Sequence, residues 1–401
     1  MIFSLFFLFI ATAFASPSSF RGHHWGQGSV DNKALYFLQN DPTGASIVSL
    51  ELDQYGKVSN AVQTPTGGSG LQGITAATGD LQGPDSLFSQ AQVVVGDNFL
   101  FTVNAGSNTV SMFKISPHDP THPKLVGMPV DSMGDFPVSI TYASALKTAC
   151  VLNGGARSGV ACFRVDEWFG LIPLDAQLRS ISPLNTTNPP AGPPLTASQI
   201  SFSPSCDFLI ADIKGDTGIP GTIFVWPVHF GYVAHSAVAT SLPEPFVNFG
   251  FTFLDNYRVF MTFADAGIAG LFLDIDPSTC KVAETSRATV SPNDFIASCW
   301  ASHSKELSTA YAGPAVSPRL AKADTRTGKF AGYIEFDPAL QGAYDMVVDG
   351  TLLYFIARSA DVVVVDLKTE QTIQVLNLEG VVGDRVYWVG MAMYDGGGWS
   401  A

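Results

Sequence analysis

A chain of 401 residues that is 46% hydrophobic and only 14% charged can bury a large core, and its 38 glycines fit many short strands rather than long surface helices. Its formal net charge of −14, from 35 acidic and 21 basic residues without a Lys/Arg cluster, speaks against nucleic acid or an anionic membrane as partner. The excess acid reads as a solubilising surface.

The first 15 residues read as a secretion signal. Residues 2–11 are almost continuously apolar, and Ala13-Phe14-Ala15 before Ser16 fits an A-x-A cleavage site. That run is too short to span a bilayer, no later segment reaches roughly 18 apolar residues, and the polar end 395–401 is no lipid-anchor tail. The expectation is a secreted, extracellular monomer without a membrane span. Residues 16–33, which carry His23-His24-Trp25, are expected to form a flexible N-terminal segment.

The stretch 99–115, FLFTVNAGSNTVSMFKI, is the unit the rest of the chain repeats. Residues 99–104 are rich in aromatic and β-branched side chains, Ala105-Gly106-Ser107-Asn108 supplies a turn, and 109–115 alternates apolar and polar residues. Gly96-Asp97-Asn98 joins it to another apolar run at 92–95, which makes three antiparallel strands in one window. The second-strand segment recurs at 35–40, 99–104, 148–153, 207–212, 257–263, 306–312 and 351–357. Alternating runs follow it, as at 46–52, 223–228, 268–275 and 361–367, and apolar strands precede it, as at 138–142, 199–202, 246–253 and 344–348. Four short strands repeated every 40 to 50 residues mark a β-propeller.

The predicted fold is therefore all-β: a seven-bladed β-propeller of four-stranded antiparallel blades over 34–394, followed by a tail at 395–401. The first blade lacks an inner strand, because 22–29 is polar and Gly-rich, while 386–394 is an apolar strand left over. The N- and C-terminal strands are expected to close the ring together. A pair of β-sandwiches is the rival architecture. Two interruptions, 64–84 and 182–194, read as surface loops. His118-Asp119-Pro120-Thr121-His122 and Ser302-His303-Ser304-Lys305 read as turns between strands.

Five cysteines in an oxidising compartment allow two bridges and one free thiol. Cys150 and Cys162 flank a turn and suit a cross-strand bridge, and Cys280 with Cys299 would link neighbouring repeats. Without a CxxC motif no zinc site is expected, and no metal or cofactor is called for. Asn185-Thr186-Thr187 is a glycosylation sequon in a Pro-rich stretch. Gly68-Ser69-Gly70-Leu71-Gln72-Gly73 fits GxGxxG but no helix follows it, and Pro277 breaks the calcium-loop start at Asp274-Ile275-Asp276.

The run GDNFLFTVNAGSNTVSMFKI resembles the repeating unit of the lactonase-type seven-bladed propellers, the group of bacterial 6-phosphogluconolactonases and fungal carboxymuconate cyclases. The resemblance covers about 34–394, is best in blades one to three, and is closest to secreted fungal members of the cyclase-like branch. It implies ring opening or closing of a lactone at one mouth of the central channel. Enzymatic members typically carry Gly-Pro-Arg-His before an inner strand. The matching stretch here is Gly192-Pro193-Pro194-Leu195-Thr196-Ala197-Ser198-Gln199, without the Arg or the His, so no catalytic residue is carried over.

Propeller topology places the ends of second strands and the starts of inner strands around one mouth. The substrate-binding candidates there are Arg157, Lys214, Asp212, Asp265, Arg358, Asn104, Asn153, Gln199 and Asn248, with Asn40, Gln90, Ser139 and Asp345 in the same ring. In an enzyme, Arg157, Lys214 or Arg358 would hold an anionic substrate and Asp212 or Asp265 would act as general base, given a raised pKa. Asn and Asp also favour strand ends for purely structural reasons, by bonding nearby backbone. Two functions remain open: a lactonase or cycloisomerase acting on a small lactone or anionic cyclic ester, and a non-catalytic extracellular binding protein for a small molecule or a surface partner.

Overall fold

Runs of Val, Ile, Phe and Tyr bounded by Asp, Asn and Gly turns fold here into seven four-stranded antiparallel sheets. A computed structural model describes residues 32–396 except 182, 183, 185, 245, 246, 266, 292–294 and 296. The expected secretion signal, His23-His24 and the sequon's Asn185 lie outside the described residues.

The inner strands of blades 2 to 7 are Val93–Gly96, Pro137–Ala143, Ala197–Phe202, Asn248–Phe253, Ser298–Ser304 and Ala343–Asp349. Each leads outward through its blade; blade 2, for example, continues through Phe99–Asn104, Thr109–Ser116 and Asp119–Leu125. Blade 1 is composite. Its inner strand is the C-terminal Trp388–Tyr394, paired with Lys33–Gln39, then Ser46–Leu52 and Val58–Pro65. The leftover apolar strand thus closes the ring as expected. Among the described residues helix is confined to short 3-10 turns such as Ser144–Leu146 and Arg385–Tyr387.

Each blade is covered on both faces by its neighbours, so its second strand has no solvent side. Phe99–Asn104, Thr148–Asn153 and Phe208–Ile213 are buried at every position, which is why they read as continuous runs rather than alternations. Aromatic rings fill the space between blades: Phe101 lies 4.7 Å from Tyr142, and Trp300 lies 4.3 Å from Tyr344, between centroids. All inner strands run from an upper face to a lower face. The upper face therefore carries the turns between second and third strands, and the lower face carries the other two sets of turns.

Cys150 and Cys162 are direct cross-strand partners in blade 3 and form the expected disulfide. The expected Cys280–Cys299 bridge is not formed; both thiols are free, as is that of Cys206. Cys280 sits in the turn before the outer strand of blade 5, on the lower rim, whereas Cys299 lies in the inner strand of blade 6 near the upper face. Adjacent repeats separate such positions by a blade's width. Two turn assignments also change. Asp119–Leu125 is the outer strand of blade 2, with Pro120 and Pro123 tolerated because it is an edge. His303 lies within the inner strand Ser298–Ser304.

Candidate functional site

Blade 2 has an inner strand of four residues where its neighbours have six or seven, because the chain leading into it leaves the sheet. Residues 85–91 bend into the channel through left-handed conformations at Asp85 (φ 65), Phe88 (φ 55) and Ala91 (φ 65). They then cross it. Ser89 Oγ donates to Val138 O at 2.8 Å, and Ser139 Oγ to Gln90 O at 2.7 Å, on blade 3. On the far wall, Gln90 Nε2 donates to Ala301 O at 2.9 Å, Ala301 N–H returns to Gln90 Oε1 at 2.8 Å, and Trp300 Nε1 donates to Ser89 O. Phe88 is fully buried, with its ring against Gly73 and Gly192, where a Cβ would come within 2.3 and 2.9 Å of its neighbours. The segment is a stopper. It is steadied by the parallel pairing of Ile74–Thr75 with Ala191–Gly192, so the two long interruptions clasp each other instead of lying apart as independent surface loops.

Above the stopper lies a cluster of charge without solvent. Lys214 Nζ donates to Phe88 O, to Ala197 O at 3.2 Å and to Thr196 Oγ1 at 3.3 Å, and sits 4.5 Å above the Phe249 ring. Asp212 accepts from Gln199 N–H at 2.9 Å and from Asn248 Nδ2 at 2.8 Å. Asp345 accepts from Gly390 N–H at 2.7 Å. Arg385 donates to the carbonyls of Ala357, Ser359 and Trp388. Burial dominates the electrostatics: it raises the carboxyls of Asp85 and Asp212, pushes Asp345 up to about 7 and lowers the Lys214 ammonium. Burial also raises the nearby Cys299 thiol, which disfavours its nucleophilic form.

The sequence candidates divide on this frame. Asp212, Lys214 and Asn248 meet around the upper channel, all buried, and Gln199 joins them only through its backbone N–H, its side chain turning to the lower channel. Asn104 and Asn153 are buried in blades 2 and 3, where Asn104 bonds Thr109 and Ser111, and Asn153 bonds the carbonyls of Ser132 and Gly159. They tie turns together. Arg157, 62% exposed, grips Asp135 with Nε at 3.0 Å and Nη2 at 2.8 Å, and that contact holds the Asp135 carboxyl below the usual range. Asp265 is half-buried and accepts from Val247 N–H at 2.7 Å, and Arg358 is exposed. Among the described residues no cation stands free beside an accessible carboxylate at the upper mouth. Asp85 and Arg385, partners in the buried cluster, were missed because each enters from a loop or a 3-10 turn that carries no repeat signal.

The open recess lies on the other side of the stopper. Below Gln90 the lower channel holds a cavity of about 390 Å³ lined by the distal halves of the inner strands of blades 4 to 7. Gln199, Thr252, Ser302 and His303 offer polar groups there, against Phe202, Phe251 and Phe253. Gln199 Oε1 accepts from Phe251 N–H at 2.7 Å, and Thr252 and Ser302 line the same recess with their hydroxyls. Burial lowers the His303 pKa, favouring the neutral ring. The recess is uncharged and amphipathic, suited to a small polar ring.

Three solved structures share this architecture. A candidate 6-phosphogluconolactonase from Bacteroides fragilis matches with a TM-score of 0.61 at 14% identity, over 92% of this chain and 99% of its own. The corresponding candidate from Bacteroides uniformis gives 0.60 at 15%, over 91% and 100%. The periplasmic gluconolactonase of Pseudomonas aeruginosa gives 0.55 at 14%, over 86% and 96%. The chain shares the seven-bladed propeller fold of these structures. At these identities the likeness carries the fold and not the activity. No family model and no curated protein matches the chain.

Proposed function

We propose that this chain is a secreted, monomeric lactonase-like propeller, glycosylated at Asn185, that binds a small lactone or related cyclic ester in the lower channel without opening its ring. The supporting observation is the stopper at 85–91. It divides the channel, leaving Asp212 and Lys214 sealed above it and satisfied by internal partners, while the accessible recess below holds hydrogen-bonding groups but no charged acid–base pair. Ring opening needs a base within reach of water and a group that stabilises the developing oxyanion. Binding needs only shape and a few unpaired donors. A hydrolytic reading has two observations in its favour: Asp212 and Lys214 are shifted toward neutrality, and Lys214, though buried, is among the residues around an apolar recess of about 310 Å³ beside blade 4.

The test is a panel of muconolactones and aldonolactones, assayed for turnover and, by calorimetry, for binding to the purified protein. Binding without turnover is expected. Thr252→Val with Ser302→Ala should weaken it about tenfold by removing two ligand-directed hydroxyls, and Arg157→Ala should leave it unchanged. Turnover that survives Thr252→Val/Ser302→Ala but disappears in a folded Asp212→Asn protein would replace this reading with the hydrolytic one.

A further inference from the structure

A groove of about 540 Å³ lies well outside the channel, between the outer parts of blades 2 and 3. Two lysines line it. Lys114 and Lys124 are direct cross-strand partners on Thr109–Ser116 and Asp119–Leu125, so their side chains leave the sheet on the same face with Cβ atoms roughly 5 Å apart. Like charges placed so are destabilising unless an anion joins them. The arrangement stands out in a chain of net charge −14. Glu167 offsets part of it from the groove's edge, 3.4 Å from Lys114 Nζ, while Lys124 makes no ion pair among the described residues and feels only the more distant, exposed carboxylate of Asp119.

Beside the lysines stands Trp168, 75% exposed at the tip of the turn between Gly159–Asp166 and Gly170–Pro173. The tip is held in place: Asp166 Oδ1 accepts from the N–H groups of Trp168 and Phe169, each at 3.0 Å. The Lys114 ammonium lies 5.6 Å from the centre of the indole ring. At the groove's floor the backbones of the two blades cross at Gly127 (φ +68) and Gly170 (φ +82), where a Cβ would come 2.6 Å from the Phe169 and Val126 carbonyls respectively. No other residue type fits that crossing without displacing a blade. The floor of the groove is thus fixed, and above it stand an aromatic plate and two ammonium groups, that of Lys114 at the face of the indole.

We propose that this groove binds a uronate-bearing oligosaccharide. The C–H face of a pyranose stacks on Trp168, the sugar carboxylate lies between Lys114 and Lys124, and Asn98 and Glu167 at the rim meet hydroxyls. An aromatic plate alone would suit a neutral glycan and a lysine pair alone any small anion; their juxtaposition selects a sugar that carries both features. The site is separate from the lower channel and stands whether or not that recess takes a lactone.

The experiment is calorimetric titration of the full protein with tetragalacturonate, with cellotetraose and tetraglutamate as comparison ligands. Tetragalacturonate should bind, less tightly as salt is raised, and about tenfold less tightly to Trp168→Ala and to Lys114→Gln/Lys124→Gln. Trp168→Phe should restore part of the loss, and unchanged melting curves will show that these exposed substitutions leave the fold intact. Equal binding of cellotetraose would make the groove a neutral-glycan site, and equal binding of tetraglutamate a peptide site. Either result, insensitivity to the lysine pair, or no binding at all overturns the proposal.

Discussion

Asp345, the third residue of the inner strand of blade 7, sits at a break in its register with φ 32, buried, and the hydrogen bond it accepts from Gly390 N–H couples blade 7 to the strand that closes the ring. Burial pushes its pKa up to about 7, against the opposing pull of Gly390 and Arg385. The folded protein therefore holds this proton more tightly than the unfolded chain does. Stability from that difference is complete below the ordinary carboxyl range and is lost as pH rises towards 7, by an amount on the order of a few kcal/mol. Asp345→Asn has no proton to lose, keeps an oxygen for Gly390 N–H and tolerates the left-handed backbone better. It should raise the melting temperature at pH 8 and flatten the decline between pH 5 and pH 8. A residual slope will come from Asp85 and Asp212, which burial shifts in the same direction. If variant and parent lose the same number of degrees over that interval, Asp345 is not the source. At this scale the sequence located Asp212, Lys214, Gln199 and Asn248 at the channel, because strand ends are legible from turn chemistry. It could not supply their burial, which depends on a segment arriving from elsewhere in the chain.

That segment is the element on which the functional reading turns. The run 64–84 looks like loop by composition, and its start and end are misjudged for that reason: Val58–Pro65 is still outer strand, and the residues after Pro84 descend into the channel. Nothing local announces the two-residue parallel pairing of Ile74–Thr75 with Ala191–Gly192, since it joins two loops that are remote in sequence. The glycines carry the signal in retrospect. A Cβ on Gly73 would lie 2.3 Å from the Phe88 ring, so Gly73→Ala should force Phe88 off its seat. Overpacking of this kind costs about 1–3 kcal/mol. The check is a denaturant-unfolding cycle with Phe88→Leu: the double variant should recover part of the Gly73→Ala loss, because the smaller side chain vacates the overlap. Strict additivity of the two changes would show that Gly73 does not pack on the stopper, and would weaken the case for a divided channel.

At the scale of the whole molecule, seven blades form one closed ring only because the last strand pairs with the first. Trp388–Tyr394 runs antiparallel to Lys33–Gln39, with Ala34 opposite Tyr394 and Gln39 opposite Trp388. The closure is anchored three ways: the Trp388 ring lies 5.1 Å from Phe37, the Tyr394 hydroxyl donates to Asn98 at 3.0 Å in blade 2, and Asp345 holds Gly390 from blade 7. This much could be read in the sequence, since a repeat count leaves one inner strand missing at the start and one apolar strand spare at the end. The radial repeat is legible because it is periodic, and the sealed channel is not because it breaks the period once. Deleting residues from 388 onward should therefore act on the ring as a whole. It strips Lys33–Gln39 of its inner partner, uncovers Phe37 and leaves an unpaired edge facing the channel. The truncated chain should lose its single cooperative melting transition and associate in a concentration-dependent way, and a synthetic peptide of residues 388–396 should restore the transition by mass action. Retention of the parent melting temperature without the peptide would mean that six blades hold the ring unaided, and that the shared first blade is not its lock.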